Sequence, residues 1–284
     1  MTDHIDEFES MFRRADREQF SWVPISLHSV TLVSDGTAEQ AQRIQDDVQQ
    51  FIGCVADADN WRTITGDQYH TVTELLQLID QQQTDLLITH RHLQETSFVP
   101  QHSLGVYLDV LTQTTSIPVL VLPVTSADPV MMAKPDCDRV MVVADHISGD
   151  SRLINYGAAL CRPGGTVWLC HVEDDLVFER YMQAIARIPE IDSDEARILI
   201  ENQLLKEATD FIKECARVLH NKAPNIRVQS SIGRGHHLRH YRQIIQENEI
   251  DLLVLNTKDD DQLAMHGRAY SLSVELTDVS MLLL

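Results

Sequence analysis

Two short apolar runs frame the chain. Thr84-Asp85-Leu86-Leu87-Ile88-Thr89-His90-Arg91 and Ile250-Asp251-Leu252-Leu253-Val254-Leu255-Asn256-Thr257 are each entered by an aspartate and left through polar residues. Runs this short and this continuously apolar read as strands buried on both faces of a parallel sheet. The flanks repeat as well. An amphipathic segment precedes each run, at 69–83 and 237–249. A polar loop, a glycine (Gly105, Gly267), a helical stretch and a last apolar strand follow it, and Gly105 to Leu122 and Gly267 to Leu284 both span 17 positions. The pattern predicts two copies of one α/β unit.

The remaining pattern fills in the order of elements. Residues 5–20 predict a helix, with Phe8, Met11 and Phe12 at helical spacing, and 22–27, which holds Pro24, predicts a connector or an irregular edge strand. Strands are expected at 29–34, 61–65, 86–89 and 117–122, the last beginning at the sheet margin because of Pro118. Helices are expected at 38–53, capped by Thr37 or Asp35, at 69–83, and from about 104 to 114. A Pro-bearing stretch, 123–138, joins the halves. The second half predicts strands at 139–144, 166–172, 226–231, 250–255 and 281–284. Helices fall at 151–161, across 174–220 with a break at Ile188-Pro189-Glu190, and over the histidine-rich 236–249. Repeated βα units cross over right-handed and give a parallel sheet with helices on both faces.

Length and charge narrow the function. A chain of 284 residues accommodates two domains. With 43 acids against 23 bases and a formal charge of −20, it is unsuited to sequence-independent contact with nucleic acid or anionic membranes. No run approaches the ~18 apolar residues of a membrane span, so a cytoplasmic location without membrane insertion is expected. The five cysteines (Cys54, Cys137, Cys161, Cys170, Cys215) form no C-x-x-C pair and read as buried, reduced thiols.

This order, with its duplication, resembles a tandem universal stress protein from about residue 28 onward. Val142-Val143-Ala144-Asp145 is similar to the family's first strand and its adenine-contacting aspartate, and Leu169-Cys170-His171-Val172 to the end of its second strand. Residues 251–256 resemble the fourth strand, and Gly267 onward the last helix and strand. In the first half, Gly105-Val106-Tyr107-Leu108-Asp109 through Ile117-Pro118-Val119-Leu120-Val121 carries the match. The resemblance implies two tandem open parallel-sheet domains with helices on both faces: 1–123, a linker at 124–138, and 139–284. The first lacks one βα unit; the spacing to Trp61 points to the first unit as the missing one, the alternative being a later one. The apolar closing runs 119–122 and 281–284 would invite aggregation if left uncovered, so the halves are expected to pack as a pseudo-dimer with each closing strand near the other unit, a homodimer of whole chains being a second expected association.

In nucleotide-binding members of the family, a pattern of G, two residues, G, nine residues, then G and Ser or Thr wraps the phosphates, because backbone N–H groups must approach them at a helix N-terminus. Here those positions hold His90, Leu93 and Gly105-Val106 in the first half, and Asn256, Asp259 and Gly267-Arg268 in the second. Asp259-Asp260-Asp261 would set carboxylates against phosphate. The residues that would hold an adenine nucleotide are thus Asp145 and Val172 at the base and Asn256, Gly267 and Arg268 at the phosphates. Asp145 also reads as a helix cap. Gly233-Arg234-Gly235 reads either as a further phosphate contact or, more simply, as a strand-to-helix turn.

Among the 13 histidines, His236, His237 and His240 share one region and His90, His92 and His102 another. Neither set completes a recognisable zinc pattern, and solvated polar surface with no metal is the expectation. P-loop, nucleophile-elbow and H-E-x-x-H motifs are absent, so no catalytic residue is assigned. The sequence therefore predicts a non-catalytic regulatory or stress-response protein acting by protein contacts, with no cofactor. Two alternatives are a weak ATP-binding switch in the second half and a cytosolic partner of an ion or solute transporter.

Overall fold

The computed structural model describes residues 20–95, 103–123, 135–143, 151–257, 265 and 267–284, with backbone alone at 267 and 268. The first half runs β1 (Ser29–Val33), α1 (Ala38–Phe51), α2 (Gly53–Ala56), β2 (Asn60–Ile64), α3 (Val72–Asp80), β3 (Leu86–Thr89), α4 (Val106–Thr114) and β4 (Val119–Val121). The second runs β5 (Arg139–Val143), α5 (Ser151–Leu160), β6 (Thr166–Asp174), α6 (Asp175–Ile185), α7 (Ser193–Lys222), β7 (Arg227–Gly235), α8 (His237–Glu247), β8 (Leu252–Leu255), α9 (Gly267–Glu275) and β9 (Ser280–Leu283).

These strands form one sheet in the order β2-β1-β3-β4-β9-β8-β5-β6-β7. Alternate residues of each strand feed two separate cores. Val30, Leu32, Ile88, Leu120, Val142, Val254 and Leu282 face α1, α5 and α7. Val33, Leu87, Val121, Met141, Leu253 and Met281 face α3, α4, α8 and α9. Because both faces are covered, the central strands are apolar without alternation, which is the pattern the sequence shows.

Local chemistry sets the element ends. Thr37 and Gln40 form a reciprocal capping box at α1, with Gln40 N donating to Thr37 Oγ1 at 3.3 Å and Thr37 N donating to Gln40 Oε1 at 2.8 Å. Helix α3 starts later than the periodicity suggests. Thr71 caps it, and Tyr69 instead lies fully buried in the core. The helix expected at 5–20 lies outside the described residues. Of the stretch joining the halves, 124–134 also lies outside them, but Cys137 is buried and anchored, its N–H donating to Phe51 O and its carbonyl accepting from Arg162 N.

One carboxylate device occurs in both halves. Asp85 Oδ2 accepts from His28 N and Ser29 N at 2.8 and 2.9 Å; Asp251 Oδ2 accepts from Asp138 N and Arg139 N at 3.0 and 2.9 Å. The aspartate that enters the apolar run thus ties off the start of the neighbouring strand. This equates Ser29 with Arg139 and makes β1 the counterpart of β5. The expectation that the first half lacks its first unit is therefore corrected: the unit absent is the one after β2.

The closing strands of the halves pair antiparallel, Val119 with Leu283, Leu120 with Leu282 and Val121 with Met281. Every other pairing among the described residues is parallel. Beside this seam Arg91, 4% exposed, reaches from the first half to Leu276 O and Met281 Sδ of the second, and burial pushes its guanidinium down to about 10.

Replacing Asp251 with alanine would leave two backbone donors short of a charge-assisted partner at a buried position, lowering stability by about 2–3 kcal/mol. The same change at the less buried Asp85 is expected to have a smaller effect. Denaturant unfolding measures both. Wild-type stability for Asp251→Ala would contradict the role assigned to the carboxylate.

Candidate functional site

Loops that follow the C-terminal ends of parallel strands are where an open α/β sheet can meet a ligand. In the first half that end is filled by the chain itself. Asp35, two residues beyond β1, stands with its Oδ1 3.1 Å from His90 Nε2, and its Oδ2 accepts from Gln94 N at 3.1 Å. Burial pushes the Asp35 carboxyl up, but the bond and charge of His90 and the Gln94 amide outweigh it, so the carboxyl lies below its usual value. His90 is itself buried and donates from Nδ1 to Arg91 O at 2.9 Å. Gln94 Nε2 donates to Gly66 O at 2.7 Å, closing the loop across the strand ends.

The turn that brings these groups back is tight. His92 and Gln94 both take left-handed backbone conformations, with φ of 59° and 60°. Glu95 then caps the next helix from outside: its Oε1 accepts from Val106 N, the first residue of α4, at 2.9 Å, while Oε2 lies 2.9 Å from His92 Nδ1. The helix N-terminus that would face a phosphate already holds a carboxylate. Gly105, with φ of +88°, is required here because a Cβ would come within 2.8 Å of His92 Cα. Its role is close backbone approach to the loop.

The second half presents a different closure. Val172, near the end of β6, is buried and its carbonyl accepts from His237 Nε2. His237 Nδ1 lies 3.0 Å from Asp174 Oδ2, and the other oxygen of Asp174 caps α6 through Leu176 N and Val177 N. Both ring nitrogens therefore face acceptors, and the ring satisfies both when it carries two protons. It also stacks on Tyr241 at 5.9 Å. The first turn of α8 is clamped over the strand end expected to meet adenine.

Gly233 and Gly235 do not form a turn. They continue β7, opposite Val172 and Asp174 in the β6 register. The His240 imidazole lies beside both, 3.4 and 3.7 Å from where a Cβ would stand, which is ordinary van der Waals contact. The arginine between them points elsewhere. Arg234 pairs with Asp175 at 2.9 Å and Glu201 at 3.1 Å and lies over the Phe178 ring at 4.6 Å. It binds α6 and α7 to the sheet edge, where its charge is matched by theirs.

Asn256 follows β8, separated from β6 by one intervening strand, hence by about 10 Å across the sheet. Gly267 and Arg268 open α9. Asp145 and the acidic run 259–261 lie outside the described residues. The structure thus brings Val172, Gly233 and Gly235 side by side and sets Asn256 on a more distant strand. Among the described residues no group of three His, Cys, Asp or Glu side chains could hold a metal. Cys137, Cys161, Cys170 and Cys215 are buried and Cys54 is partly so. Burial pushes the Cys54 thiol up to about 11 and those of Cys161, Cys170 and Cys215 up to about 12.

The place of Asp35 is legible in the sequence: it stands six residues after Ser29, as Asp145 stands six after Arg139. Those of Glu95 and His237 are not, since each reaches its partner only through tertiary packing.

No family model matches the chain, and no curated protein matches it. Two solved structures from Pseudomonas aeruginosa do share its architecture. One, from strain UCBPP-PA14 and named for the universal stress proteins, aligns with a TM-score of 0.52 at 11% identity, over 91% of this chain and 93% of that one. The other, a protein of unknown function from strain PAO1, aligns with a TM-score of 0.51 at 10% identity, over 91% and 92%. The chain has the α/β fold of universal stress protein-like structures.

Proposed function

We propose that this chain is a non-catalytic regulatory protein of the stress-response kind, acting in the cytoplasm through protein contacts and without a nucleotide cofactor. The observation that carries the reading is the self-occupied first half. Asp35 is held by His90 and Gln94, and Glu95 sits on the N-terminus of α4 where a ligand phosphate would bind. The fold supports the stress-response part of the reading, and the second half supports the absence of nucleotide. There His237 takes the Val172 carbonyl, and the glycines that would let backbone amides reach phosphates are replaced by Asn256 and Asp259.

Titration calorimetry of ligand-stripped protein with Mg-ATP is expected to show binding no tighter than a dissociation constant of about 1 mM. A submicromolar constant would defeat the reading. Any residual binding should belong to the second half and disappear in Arg268→Ala.

The closure of the first half has its own test. The folded carboxyl of Asp35 lies below its unfolded value, so its contribution is present above about pH 4 and is lost as pH falls through the folded value. Asp35 is about one-third exposed at the side chain. After screening, Asp35→Asn should remove only about 0.5–1 kcal/mol at pH 7 and flatten the acid limb of the stability profile. Denaturant unfolding between about pH 3 and 7 measures this. A variant with unchanged stability and an unchanged acid limb would show that the contact does not hold the loop.

A further inference from the structure

Helix α8 begins at His237, a residue 8% exposed whose imidazole joins the first turn to the end of β6. Its Nε2 serves the Val172 carbonyl, and its Nδ1 lies 3.0 Å from Asp174 Oδ2. Among the described residues β5 pairs with β6 only as far as Cys170, and beyond that point the Val172 carbonyl accepts from this side chain. A neutral imidazole has one N–H, so neither tautomer satisfies both contacts. With the proton on Nε2, the Nδ1 lone pair opposes a carboxylate. With the proton on Nδ1, the Nε2 lone pair opposes a buried carbonyl.

The other ionisable groups nearby have their own partners or face away. From β6 the facing group is Asp174, whose second oxygen is taken up by Leu176 N and Val177 N at the start of α6. His171 and Glu173 lie 3.1 Å apart, and alternation along the strand turns them to the opposite face. Asp175 of α6 and Glu201 of α7 hold Arg234 of β7. From α8 itself, Tyr241 stacks on the ring, His240 lies beside Gly233 and Gly235, and His236 and Arg239 are exposed. Helix α9, which also packs on α8, sends Glu275 to Arg242, more than a turn further along.

We propose that His237 is a proton-operated latch: it holds the first turn of α8 on the end of β6 while the imidazole carries two protons and releases it when one is lost. The hold is present at lower pH and is lost as pH rises through the range in which histidine gives up its proton. Release leaves one of the two acceptors without a donor and frees the end of β6 on the α8 side. The latch needs neither a ligand nor a second chain. It does not rest on the nucleotide-free reading above, and either can fail alone.

Amide exchange in the full chain tests the latch. The reporters are the amides of Tyr241 and of His240, which donates to His236 O. The comparison runs from about pH 5.5 to about pH 8, above the carboxylate range and across that of histidine. Corrected for the intrinsic pH dependence of exchange, protection should fall at least about tenfold, as when one buried acceptor loses its donor. Asp174→Asn gives the discriminating result. Asparagine keeps the oxygen that caps α6, and its amide donates to Nδ1 while a neutral ring donates from Nε2 to the Val172 carbonyl. That variant should stay protected at both pH values, although the contact has lost a charge. His237→Gln, with no proton to give up, should also show no pH dependence. Unchanged protection in the unaltered chain, or the parent's loss of protection in either variant, would overturn the proposal. Should a variant misfold, nitrogen NMR shifts of the His237 ring in the unaltered chain decide. Loss of one ring proton in step with protection supports the latch. A ring that keeps both protons to about pH 8, or loses one without effect on protection, excludes it.

Discussion

The antiparallel pairing of β4 with β9 is the constraint on which the rest depends. Without it, each half would end in a short, largely apolar strand with an open edge. With it, Leu120 and Leu282 face each other at the middle of one continuous sheet and both closing strands are buried on two faces. The seam also explains why a guanidinium can sit beside it. Arg91 is tolerated in a nearly dry position where its Nη2 reaches the carbonyl of Leu276, and burial rather than an acidic neighbour governs its protonation.

Away from the seam, carboxylates perform work that glycine and backbone amides perform in ligand-binding versions of such sheets. Asp85 and Asp251 each gather two N–H groups at the base of a strand. Glu95 supplies negative charge to the start of α4, and Asp174 caps α6 while orienting His237. Helix N-termini favour anions whether these come from a ligand or from the chain. An acidic protein with few glycines near its strand ends can therefore satisfy those termini internally. The result is a sheet whose C-terminal strand ends are contacted in the first half by the turn at 90–95 and in the second by the first turn of α8.

The apolar runs at 86–89 and 252–255, the aspartates before them and the spacing from Gly105 and Gly267 suffice to read a duplicated α/β unit, because burial on both faces leaves a continuous apolar trace. The spacing to Trp61 points to the wrong absent unit; the equivalent backbone groups held by Asp85 and Asp251, together with the sheet order, identify it. The glycines at 233 and 235 suggest a turn in sequence and form strand in the fold, because glycine permits a turn without requiring one.

The sequence by itself determined the strands, the helices and the absence of the phosphate-wrapping glycines, since periodicity and residue size act locally. Tertiary structure decided which groups of the chain itself meet the strand ends and helix N-termini. Glu95 meets α4 only because His92 and Gln94 adopt left-handed conformations, and His237 meets Val172, 65 positions away in sequence, only because β6 and α8 pack together. Hydrogen bonds of that kind depend on the direction of a backbone group in space, and no local pattern records it.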